Sequence, residues 1–131
     1  MGIERDYLMR QLMMLFEVIE KAINFRRKGK KKEAEEQISY FFSCLNLQND
    51  FQKKDIESLL NYLTTERKFS TNHLEMIAFV LKEQGELAEE AERKLDFFRK
   101  AYFLLEKVDR ESPSFSMDRQ MKLSELRQYL N

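Results

Sequence analysis

A chain of 131 residues that is 43% hydrophobic and 35% charged, with three Gly and one Pro, fits one domain of amphipathic helices and leaves little material for turns. Lys+Arg and Asp+Glu both number 23, so the formal charge is zero and no global field draws the chain to nucleic acid or an anionic membrane. Cys44 is the only cysteine, which excludes an intramolecular disulfide and a multi-thiolate metal site and makes the cytoplasm the expected location.

The opening residues 1–6 lack the basic flank and apolar run of a secretory leader. No stretch approaches the roughly 18 uninterrupted apolar residues of a membrane span, so no membrane association is expected. The first helix is predicted to begin near Glu4 or Asp6, where acidic side chains suit the positive end of the helix dipole, and to run to Lys28. Leu8, Leu12, Leu15, Ile19, Ala22 and Ile23 recur at helical spacing, while Met9, Met13, Phe16 and Val18 widen the apolar arc beyond what one neighbouring helix covers. Ordinary core packing is the first expectation for Met9, Met13 and Phe16. The alternative is an interaction face, most simply a homodimer seam.

Gly29 is placed to end the first helix, and the second restarts at about Lys32, carrying Ala34, Ile38, Phe41, Phe42 and Leu45 inward. The two form an antiparallel hairpin over about 6–46. Its tip holds Arg26, Arg27, Lys28, Lys30, Lys31 and Lys32, a possible anion-binding patch that a nucleic acid or lipid phosphate could occupy. The plainer reading is a solvated tip whose cations complement the helix end and are partly offset by Glu33, Glu35 and Glu36, so nucleic acid is not the expected partner.

The polar segment 46–50 reads as a loop, and a third helix is predicted from between 51 and 55 to Glu66, with Ile56, Leu59, Leu60 and Leu63 on its apolar face. Ser70 or Thr71 caps the next element, whose apolar pattern continues through 71–109. No Gly, Pro, Asn or Ser interrupts it between Glu86 and Asp109, so local chemistry favours one continuous helix, although a compact domain favours a break near 89–94. Pro113 ends it. Ser116 then caps a last helix through 130, docked by Met117, Met121, Leu123, Leu126 and Leu130. The expected fold is all-α, with five to six helices in a single domain.

The spacing of Ala22, Phe25, Gly29 and Ala34 resembles a tetratricopeptide repeat, in which a small residue admits the second helix, an aromatic fills the gap and a glycine turns the chain. Phe41 and Asn46 depart from that pattern, standing where a small residue and a proline are usual. The segments Asp6-Tyr7-Leu8-Met9-Arg10 and Phe115-Ser116-Met117-Asp118-Arg119-Gln120 are similar to those of a family of small bacterial tetratricopeptide-like proteins without an established activity. The resemblance implies a helical-hairpin scaffold that binds a peptide or protein, and it supplies no functional residues.

Chemistry is sparsely provided for. His73 is the only histidine and is placed in a first helical turn, far in sequence from Cys44, which sits among hydrophobic neighbours. Glu83, Glu86, Glu89, Glu90 and Glu92 lack the Glu-x-x-His companion of a di-metal bundle and read as a solvent face. No enzyme, metal or cofactor is expected. The expected function is a non-enzymatic protein-protein interaction or scaffold module.

Overall fold

From residue 3 to residue 28 the sequence has no Gly, Pro or loop-forming cluster, and in the computed structural model one helix, α1 (Gly2–Arg27), covers nearly all of this stretch. The structure describes residues 2–48 and 50–131, so Asn49 of the polar segment lies outside the described residues. Among these residues the chain is all-helical, with no strand. It divides into two compact units, one ending at Leu47 and the other spanning Gln48–Asn131.

In the first unit α1 is followed by α2 (Lys31–Cys44). Gly29 adopts φ +76°, the left-handed conformation that a side chain disfavours. The Lys30 N–H donates to the Phe25 carbonyl at 2.8 Å and the Gly29 N–H to the Arg26 carbonyl at 3.0 Å, the paired bonds of a Schellman cap. Leu15, Val18, Ile19 and Ala22 of α1 are buried, as are Ala34, Ile38 and Phe41 of α2 and Leu45 just after it. The end of α2 repeats the device, with Asn46 at φ +52° and the Leu47 N–H bonded to the Phe42 carbonyl. A short polar side chain thus takes the left-handed position where the resemblance leads one to expect a proline.

The second unit opens with a 3-10 turn (Phe51–Lys53). Helix α3 (Ile56–Asn61) follows, capped by the Asp55 carboxylate, which accepts from the Ser58 N–H at 2.7 Å. The helical run reaches Glu66 as expected, but its last part, residues Tyr62–Glu66, widens into a π-helical turn. Leu59, Tyr62 and Leu63 are buried, and the Tyr62 hydroxyl accepts from the Gln48 N–H and from Arg67. That hydroxyl gives the turn polar anchors outside its own ladder.

Helices α4 (Thr71–Leu87) and α5 (Ala91–Glu111) replace the continuous helix that local chemistry favours. Ala88 and Glu90 are extended, with ψ 136° and 129°. Two contacts between the helices fix the break. The Lys94 Nζ donates to the carbonyls of Gly85 and Glu86 at 2.7 and 3.1 Å, satisfying the end of α4. The Phe98 ring lies over Gly85 so closely that a Cβ there would stand 2.5 Å from it. Helix α6 (Met117–Leu130) is capped by Ser116, whose hydroxyl accepts from the Arg119 N–H.

The docking of α6 corrects one expectation. Leu123 and Leu126 are buried, but Met117 and Met121 are 64% and 57% exposed. The inward face is occupied instead by Arg119, which is 4% exposed. Its guanidinium donates to Glu75 at 2.7 Å, Asp109 at 2.9 Å and the Ser114 carbonyl at 2.6 Å, linking α4, α5, the intervening loop and α6. Burial alone lowers the Arg119 pKa, and the hydrogen bonds and charges of Glu75 and Asp109 outweigh it, holding the group above its ordinary value.

Further charged side chains are buried in the same manner. Lys82 pairs with Glu125 at 2.7 Å and Glu86 at 3.3 Å, and Lys100 bridges Asp96 and the Gln52 carbonyl, each at 2.7 Å. Glu83, expected on a solvent face, is buried too. Tyr129 closes this end of the unit: its ring stacks on Phe98 with centroids 4.4 Å apart, and its hydroxyl donates to Glu86.

Candidate interaction face

Helix α1 has 26 residues and α2 has 14, so at ~1.5 Å rise per residue the second helix reaches back along only about half of the first. The N-terminal part of α1 extends beyond it. Tyr7 and Leu8 are exposed there. Met9, Met13 and Phe16 do not join the core: they are 53%, 62% and 42% exposed, contrary to the ordinary expectation for them. The physical reason is angular. Leu15, Val18, Ile19 and Ala22 define the face turned inward. At about 100° per residue, Met9, Met13 and Phe16 lie at i, i+4 and i+7 on the other side of the cylinder.

The stripe continues the heptad-like spacing with Asp6 on one side and Glu20 on the other, and Arg10 and Glu17 border the same edge of it, all of them exposed. α1 thus carries an exposed apolar stripe with charged margins. A second set of exposed apolar side chains, not foreseen from the sequence, is Phe115, Met117 and Met121 around the start of α6. Apolar periodicity could not reveal it, because the same methionines also satisfy an inward-facing pattern.

The basic residues sit around the Schellman turn. Arg27, Lys28, Lys30, Lys31 and Lys32 are exposed, Arg26 is half-buried, and Lys31 lies 4.0 Å from Glu35. The Ser70 hydroxyl and His73 Nδ1 are 2.7 Å apart, but the same hydroxyl accepts from the His73 N–H as the cap of α4, and the imidazole lies against the Phe69 ring. Burial holds the His73 pKa below its ordinary value. This pair terminates a helix. Cys44 is half-buried at the end of α2. Among the described residues no three His, Cys, Asp or Glu side chains form a group that could hold a metal ion, and no helix is long and apolar enough to cross a membrane.

Comparisons with protein-family models, curated proteins and solved structures return no match for this chain.

Proposed function

We propose that the protein is a non-enzymatic interaction module that receives an amphipathic helix on α1. The carrying observation is the exposure of Met9, Met13 and Phe16 at i, i+4 and i+7 on a helix whose opposite face is already packed. A helix partner buries such a stripe by inserting its own apolar residues between these three, and methionine adapts to the fit. The tetratricopeptide-like spacing and the all-helical fold agree with this reading. The competing reading, a nucleic-acid or anionic-surface binder at the basic tip 26–32, is less favoured, because the charges of that tip are solvated around a turn and Lys31 lies 4.0 Å from Glu35.

The test is affinity capture of the tagged protein from a nuclease-treated bacterial lysate at near-physiological salt, in parallel with a Met9→Glu/Met13→Glu/Phe16→Glu variant. Because these side chains are exposed, the variant should retain its helical circular dichroism. Specific retention by the wild type and loss by the variant is the expected result. The same proteins retained by both would place binding elsewhere and end this reading.

A further inference from the structure

We propose that the occupant of the α1 stripe is a second copy of this chain, with the two α1 helices paired antiparallel about a two-fold axis beside Met14 and Leu15. This inference rests on the reading of that stripe as an interaction face. The argument comes from the charges that border it. In the antiparallel register, Met13 of each copy faces Phe16 of the other, and Met9 packs on the aliphatic stem of Glu20. The same register brings Arg10 of each copy to Glu17 of the other, so one apolar centre is flanked by two equivalent ion pairs.

Parallel pairing lacks this match. It sets Arg5 of one helix beside Arg10 of the other, on both sides of the seam, and like charges so placed disfavour that arrangement. The self-complementary feature is therefore specific to one direction: Arg10 and Glu17 lie at i and i+7 on a single edge, and only reversal of one helix exchanges them. At the far ends Arg5 approaches the Arg26 end of the second copy, a rim contact that limits affinity. Stable interfaces bury about 800 Å² per partner, more than one stripe of three large side chains provides, so the pair forms weakly.

The experiment is sedimentation equilibrium of the full chain up to about 1 mM, in low and moderate salt, on wild type, Arg10→Glu, Glu17→Arg and the double exchange Arg10→Glu/Glu17→Arg. Dimerisation of the wild type is expected. Each single exchange should weaken it by ~10-fold or more, since it converts two attractive pairs into two repulsive ones, whereas the double exchange should restore it to within about threefold. Met13→Glu and Phe16→Glu, checked by circular dichroism for retained helix, should each abolish it. A wild type that stays monomeric throughout overturns the inference, as does a dimer indifferent to Met13→Glu and Phe16→Glu. Failure of the double exchange to rescue overturns the antiparallel register. The interaction reading itself fails by a different result, when the triple glutamate variant captures the same proteins as the wild type.

Discussion

Replacing Arg119 by Met tests whether the second unit is held by a buried charge rather than by its apolar pattern. The substitution keeps the volume and the aliphatic stem of the side chain but removes three donors, at 2.6–2.9 Å, to Glu75, Asp109 and Ser114. Breaking a fully buried ion pair costs about 3–5 kcal/mol, chiefly because the remaining charge is stranded. Here the stranded Glu75 and Asp109 side chains are 23% and 35% exposed and can recruit water, which reduces the cost. The expected destabilisation is about 2–4 kcal/mol. For a unit of this size that corresponds to a fall in melting temperature of roughly 10–25 °C.

Urea and thermal unfolding followed by far-ultraviolet circular dichroism would measure it. A double-mutant cycle sharpens the attribution: in a Glu75→Gln background Arg119→Met should cost less than in the wild type, because the strongest stranded charge is already gone. If Arg119→Met unfolds within about 0.5 kcal/mol of the wild type, the cluster is a surface-like pair of little consequence and the reasoning fails.

Two further outcomes follow from individual sites. Gly85→Ala places a Cβ 2.5 Å from a Phe98 ring that is itself buried and stacked on Tyr129, so the ring cannot swing aside freely; a loss of about 1–3 kcal/mol is expected in urea unfolding, with partial recovery in Gly85→Ala/Phe98→Leu. For His73, burial depresses the folded-state pKa, so protonation favours the unfolded chain: its contribution to stability is present above roughly pH 6.5 and is lost as the pH falls through the folded value. The wild type should therefore lose more stability than His73→Gln between pH 7.5 and 5, and equal losses would remove His73 as the cause.

The parts of the fold legible in the sequence are those fixed by local chemistry. Gly29 turns the hairpin with the left-handed φ that only glycine adopts freely, and Ser70 and Ser116 cap α4 and α6 where their hydroxyls precede apolar periodicity. The break between α4 and α5 was less legible because Leu87-Ala88-Glu89-Glu90-Ala91 contains no breaker. It is stabilised by Lys94 reaching back to the end of α4 and by Phe98 closing over Gly85, contacts that exist only once the hairpin has formed. The π-helical turn was hidden for a similar reason, since the Tyr62 hydroxyl finds one of its partners at Gln48.

The same distinction explains the errors over which side chains face inward. Hydrophobic periodicity treats charge as solvated, so it places Met117 and Met121 in the core and cannot place Arg119, Lys82, Glu83 or Lys100 there. Arg119 becomes an interior residue through Glu75, far away in sequence, and Lys100 through the Gln52 carbonyl. In α1 the error ran through geometry: Met9, Met13 and Phe16 share a strip of the cylinder that α2 cannot reach while it packs on Leu15, Ile19 and Ala22. An apolar arc wider than one helical neighbour was visible in the sequence, but composition could not divide it into a packed and an open face. That division requires the position of α2, which leaves Met9, Met13 and Phe16 exposed on α1 with Arg10 and Glu17 along one edge of them.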